Sequence, residues 1–109
     1  MSSRAIEGRR YGNRRQAEVT AATLRPRAQA LLDQGFRLAL VAAHEDVDRF
    51  RVVYLFVAAR PDRRVELVLA TDRQAPTVPS LAGISYPAGR FEREMRDLYG
   101  IIPSDHPLP

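Results

Sequence analysis

Phe91-Glu92-Arg93-Glu94-Met95-Arg96-Asp97-Leu98-Tyr99-Gly100-Ile101-Ile102 is the stretch whose reading decides the fold. Phe91, Met95, Leu98 and Tyr99 recur at i, i+4, i+7 and i+8, which gathers four large apolar groups on one side of a helix. The remaining circumference is almost wholly charged. Glu92 precedes Arg96 by four residues, Arg93 precedes Asp97 and Arg90 precedes Glu94, so opposite charges become neighbours at helical spacing. Each such pair is worth only ~0.2–0.5 kcal/mol in water. Gly100 stops the helix by reaching the left-handed conformation of a C-terminal cap, and Pro103 prevents a restart.

Two readings of this segment follow. It is a solvated amphipathic helix closing a small domain, or a docking helix whose charges complete pairs with another subunit. Tyr99, Ile101 and Ile102 carry the apolar surface past the helix end, beyond what one stripe needs, and surplus apolar surface favours an interface. On the docking reading Phe91, Met95 and Leu98 pack on the domain's own sheet while the charged groups face the partner.

Upstream of that helix, Leu24, Ala28, Leu31 and Leu32 define an earlier amphipathic helix. Thr23 is its expected N-cap, because that start leaves Pro26 in the first turn, where its missing N–H is harmless. Gly35 ends it. Phe36 to Ala43 is a short apolar run of strand type, His44 to Asp48 a polar turn, and Arg49 to Ala59 a second strand. From Val52 onward that second strand is apolar on both faces, Val53, Leu55 and Val57 on one and Tyr54 and Phe56 on the other, which marks it as central. After a Pro61-Asp62 turn, Val65 to Ala70 returns as a third strand, and the short connections make the pairings antiparallel. The order helix-strand-strand-strand-helix predicts an α+β fold, a two-layer sandwich with an antiparallel-rich sheet and helices on one face.

The 109 residues fit one domain, large enough to bury roughly two thirds of its unfolded surface. Residues 1–18 are read as a basic flexible tail and 19–109 as the domain. Cysteine is absent, which excludes disulfides, thiolate catalysis and cysteine-ligated metal clusters within this sequence. No apolar run approaches the ~20 residues of a membrane-spanning helix. Net charge is +4 and all 17 basic residues are arginine, spread along the chain except for the cluster Arg4 to Arg15.

Catalytic constellations are not found. His44 with Glu45, Asp46 and Asp48 lacks the glycine and distal glutamate of a calcium loop. Ser80 lies outside any Gly-x-Ser-x-Gly context, and Gly83, Gly89 and Gly100 form no phosphate-cradling loop. Glu92 and Glu94 point apart on a helix and make no carboxylate pair.

The elements Glu92-Arg93-Glu94, Asp97-Leu98-Tyr99-Gly100-Ile101 and His106-Pro107 together resemble the signature of the 30 kDa-type subunit of respiratory complex I (NADH:quinone oxidoreductase). They also resemble its homologous domain in membrane-bound group 4 nickel-iron hydrogenases and formate hydrogenlyase. The resemblance reaches upstream to about Leu24 and includes the Val78-Pro79-Ser80-Leu81 turn. It implies a non-catalytic accessory or assembly subunit that docks on the large nickel-iron-hydrogenase-related subunit, beside a small iron-sulfur subunit. Iron-sulfur clusters or a nickel-iron centre are expected only in those partners, with no cofactor in this sequence. The implied location is cytoplasmic, peripheral to the inner face of the cell membrane through the partners. The interface residues implied are Glu92, Arg93, Glu94, Asp97, Tyr99, Gly100, Ile101, His106 and Pro107.

Two departures qualify the carry-over. Asp105 stands before His106 where complex I members commonly have glycine, and Leu108-Pro109 stands where basic residues and a longer tail are expected, so the domain reads as truncated relative to the family. The Ile102-Pro103 and His106-Pro107 wording leans toward the hydrogenase branch. The alternative from another class is a small arginine-rich nucleic-acid-binding domain, although Tyr54 and Phe56 lack the glycine-aromatic pattern of an RNA-binding sheet.

Overall fold

The strand Arg49–Ala58, middle of its three-strand meander although one place off the centre of the five-stranded sheet, sets the two sides of the molecule by its alternation. Phe50, Val52, Tyr54 and Phe56 are buried, whereas Val53, Leu55 and Val57 on the opposite face are half-buried. The structure is a computed structural model that describes residues 9–11, 14–59 and 62–104. In chain order this strand is β4, flanked by β3 (Arg37–Glu45) and β5 (Arg63–Asp72), both antiparallel to it. The β4–β5 register runs unbroken from Arg49↔Asp72 to Ala58↔Arg63. In β3 the register shifts between Leu38 and Leu40, and this bulge lets Leu38 and Val41, an odd number of residues apart, both face the core.

The basic N-terminal segment departs from the expected tail. β1 (Arg9–Tyr11) and β2 (Arg14–Val19) are strands, and the main sheet has the order β1-β2-β5-β4-β3. β2 pairs parallel to β5, from Arg14↔Arg64 to Val19↔Leu69. Ala17 and Val19 are buried while Glu18 between them is exposed, a period of two that arginine-rich flanks obscure. Residues 1–8 of the expected tail lie outside the described residues.

α1 (Ala21–Asp33) begins three residues before the expected start. Thr20, not Thr23, is the N-cap: the Thr20 N–H donates to Thr23 Oγ1 at 2.9 Å and the Thr23 N–H to Thr20 Oγ1 at 3.3 Å. This reciprocal box satisfies two otherwise orphaned donors, worth about 1 kcal/mol, and helps the helix carry Pro26 in its interior. Leu24 and Ala28, fully buried, hold it to the sheet. Gly35 follows the helix at φ +94°, where a side chain would be strained.

β6 (Thr77–Pro79) and β7 (Ile102–Ser104) form a small parallel pair, and α2 (Ala88–Tyr99) lies between them in sequence. Leu24, Ala28, Ala88 and Met95 from the helices join Ala17, Leu38, Val52, Tyr54, Phe56 and Leu67 in a single core on one sheet face. The α+β sandwich with helices on one face is therefore as expected, enlarged by β1, β2 and the β6–β7 pair.

Candidate functional site

α2 meets the core along a row one residue off from the stripe that the sequence suggests. Ala88, Glu92 and Met95 point inward, Phe91 is half-buried, and Leu98 is 75% exposed, so Leu98 does not pack on the sheet. The inward group that displaces the apolar stripe is a carboxylate. Glu92 is fully buried, with Ser80 Oγ donating to its Oε1 and the Leu81 N–H to its Oε2, both at 2.7 Å. Its expected role as an exposed interface charge paired with Arg96 is thus corrected, because a buried carboxylate needs donors and the 80s loop supplies them.

That loop is tied down from several directions. Arg25 Nη2 of α1 donates to the Ser80 carbonyl oxygen at 2.8 Å, the Ser80 N–H donates to the Ser104 carbonyl of β7 at 2.9 Å, and the Ala82 N–H donates to Ser80 Oγ at 3.1 Å. Glu92 therefore fixes α2 to the Val78–Leu81 turn, and the turn in turn links α1 and β7. Charge-assisted hydrogen bonds of this kind are stronger than neutral ones. In the adjoining core the Tyr54 hydroxyl is buried with no hydrogen-bond partner among the described residues. Burial, with the Glu92 charge adding to it, pushes that phenol far above its ordinary range.

The outer side of α2 is different in kind. Arg93, Glu94 and Asp97 are exposed, and among the described residues neither Arg93 with Asp97 nor Arg90 with Glu94 forms an ion pair. Arg90 instead lies 5.4 Å over the Phe91 ring. At the C-terminal end Gly100 adopts φ +71° and its N–H donates to the Arg96 carbonyl at 2.9 Å, the cap that the sequence predicts. Ile101 turns into the core with no exposure, which removes it from the surplus apolar surface, while Ile102 stays 47% exposed. His106 and Pro107 lie outside the described residues.

The Tyr99 ring meets Phe50 edge-on at 5.9 Å, and Arg73 sits 5.8 Å over the Phe50 ring while donating to the Asp46 and Val47 carbonyls. Val47 is 94% exposed. Tyr99 thus reaches the start of β4, while Leu98 and Val47 are single exposed apolar side chains among the charges of α2 and of the Asp46-Val47-Asp48 turn. The sequence signal for Leu98 and Tyr99 is the leftover apolar surface; nothing local signals that Glu92 lies inside.

No group of three or more His, Asp or Glu side chains able to hold a metal occurs among the described residues. Tyr54 and Phe56, the aromatics an RNA-binding sheet would expose, are buried and cannot stack on bases. No helix of the described residues is long and apolar enough to cross a membrane.

Fold and site together define a small α+β module, its distinguishing feature a helix locked inward by a carboxylate and charged outward. The chain belongs to the family described as "Respiratory-chain NADH dehydrogenase, 30 Kd subunit", whose model matches residues 17–109. It is 46% identical over 59 residues to the NADH-quinone oxidoreductase C subunit of Paramagnetospirillum magneticum, covering 54% of this chain and 29% of that protein. To the corresponding protein of Maricaulis maris it is 42% identical over 60 residues, covering 55% and 30%. The aligned part thus spans under a third of these curated relatives. Among solved structures, a trypsin-resistant fragment (1-134) of Nqo5 superposes with TM-score 0.76 at 22% identity, covering 89% of this chain and 84% of the fragment. A chain of an archaeal membrane-bound sulfane sulfur reductase, a respiratory membrane complex, gives TM-score 0.84 at 17% identity, covering 95% of this chain and 65% of that one. At these identities the two structures establish the shared fold.

Proposed function

We propose that this chain is a non-catalytic docking subunit or domain of an NADH:quinone oxidoreductase-like or membrane-bound hydrogenase-type complex, seated on the large hydrogenase-related subunit. The observation that carries this reading is the two-sidedness of α2: Glu92 secures it from within, and Arg93, Glu94 and Asp97 stand exposed beside Leu98 and Tyr99. Charges held on a rigid helix fix the register of a docked partner more than they add affinity, and the exposed Leu98 and Tyr99 side chains supply apolar area to be removed from water. Redox centres belong to the large subunit and to a small iron-sulfur subunit, and attachment to the membrane runs through those partners on the cytoplasmic side. His106 and Pro107, which lie outside the described residues, are assigned to the same interface on the resemblance of their motif alone.

The test is co-expression with the tagged large subunit. Arg93→Ala with Asp97→Ala, and separately Leu98→Asp, are expected to lower co-purification at least tenfold while the isolated chain melts within a few degrees of the parent. Undiminished co-purification and parent-complex activity in both would overturn the reading.

A further inference from the structure

α1 leaves part of the helix side of the sheet uncovered. Between it and strands β2 and β5 lies a half-open groove of about 420 Å³. The floor is apolar, built from Ala17 of β2, Val65 and Leu67 of β5 and Leu31 of α1. Register explains the strand residues, since Arg15↔Val65 and Ala17↔Leu67 alternate onto the side of the sheet that holds the core. On α1, Arg27, Leu31 and Gln34 recur at i, i+4 and i+7 and so share the side that meets these strands.

Three arginines from three elements surround that floor. Arg15 of β2 and Arg27 of α1 line the groove. Arg63 precedes Val65 by two residues on the same side of β5, about 7 Å along the strand, and its guanidinium lies 4.8 Å over the Phe36 ring. Arg15 has an interaction of its own, whereas Arg27 and Arg63 are in no ion pair among the described residues. No carboxylate of the described residues lines the groove. Glu18 and Glu66 alternate to the opposite face of the sheet, and Asp33 on the far side of α1 accepts from Gln29 Nε2 at 3.0 Å. Asp62 is exposed in the β4–β5 turn, outside the lining.

We infer that this groove seats a segment of a partner subunit, one that carries a carboxylate within two residues of a large aliphatic side chain. The aliphatic group takes the floor of Leu31, Val65 and Leu67, and the carboxylate takes the forked donors of Arg27 or Arg63. The inference rests on the docking reading above and adds a contact at the other margin of the sheet, since α1 and the groove lie toward β2 and α2 lies against β3. The lining chooses among occupants. A flat bilayer surface does not reach the floor of a concave groove. Nucleic-acid bases stack on exposed aromatic rings, and no aromatic side chain lines this groove. A half-open groove does not bury most of a small molecule, as ligand pockets do. A chain segment keeps its backbone in water while two of its side chains are held.

The experiment uses the full chain in its assembled complex. Ala30, exposed in the groove lining, is replaced by photoreactive benzoylphenylalanine, and Tyr99 on α2 by the same group in a parallel sample. After irradiation, mass spectrometry identifies the cross-linked peptides. Position 30 is expected to capture one partner peptide with Asp or Glu within two residues of Leu, Ile or Val. Arg27→Glu should lower that cross-link at least fivefold, and arginine in place of the partner's carboxylate should restore at least half of it. If the replacement at Ala30 prevents assembly, Gln34, also exposed in the lining, takes the group instead. A cross-link at position 99 with none in the groove would overturn this inference and leave the docking reading standing. So would a captured peptide without that pair, an Arg27→Glu variant that cross-links like the parent, a charge reversal that rescues nothing, or capture of lipid, nucleic acid or a second copy. No cross-link at either place would remove both readings.

Discussion

Glu92 and Glu94 are two residues apart on α2 and have opposite fates: one is sealed from water by Ser80 and Leu81, the other is exposed. The difference teaches that charge on this helix is divided by task. Inward, a carboxylate replaces a large apolar side chain and does what packing alone would not, satisfying a loop backbone N–H and a serine hydroxyl at a defined distance. Outward, the same chemistry is left in solvent, where it contributes little to folding and is available for recognition.

The largest expected effect comes from removing the inner group. Glu92→Ala leaves the Leu81 N–H and Ser80 hydroxyl without their acceptor and opens a void, so urea unfolding should show a loss of about 3 kcal/mol. Glu92→Gln, which keeps one acceptor oxygen, should lose about half of that. A loss within about 0.5 kcal/mol for Glu92→Ala, the range of an ordinary surface change, would break the contrast.

Tyr54 sharpens it from the inner side. Its folded pKa is raised above the ordinary phenol value, so the folded state holds the proton after the unfolded chain releases it. Its contribution is therefore complete below about pH 10 and is lost as pH rises beyond it, at up to about 1.4 kcal/mol per pH unit. Tyr54→Phe should unfold at least as reluctantly as the parent at neutral pH, because the hydroxyl it removes is buried without a partner among the described residues. Between about pH 10 and 11, just past the ordinary phenol pKa, its stability should fall less steeply, as chemical denaturation at each pH would show.

The smallest effect belongs to the outer group. Glu94→Ala should change folding stability by under about 0.5 kcal/mol, the ordinary range for an exposed charge outside any close pair. A thermal melt shifted by more than a few degrees would show that the outer side also supports the fold.

Much of this architecture is legible in the residues. The β3–β4–β5 meander follows from apolar runs and short turns, and the end of α2 follows from Gly100. The start of α1 is harder to read because Pro26 argues for a later start than the Thr20/Thr23 box, and the box prevails. β2 is hidden because its partner is distant and its alternation rests on Ala17 and Val19 alone, amid arginines. Glu92 reads as an outer residue because helical spacing shows which residues share a side but not which side meets Ser80, twelve residues away. The exposed Arg93, Glu94 and Asp97 are where spacing puts them.

The parallel pairing of β2 with the segment from Arg64 to Leu69 bears on biosynthesis. β2 leaves the ribosome with no ladder on β5 to join until some fifty further residues are made, since its register sets Arg14 beside Arg64. At translation rates of roughly 5–20 residues per second, that interval is about 3–10 s. This earlier segment therefore waits, unpaired with β5, while β3 and β4 are made, and a long-range parallel pairing of this kind is intrinsically slow to close.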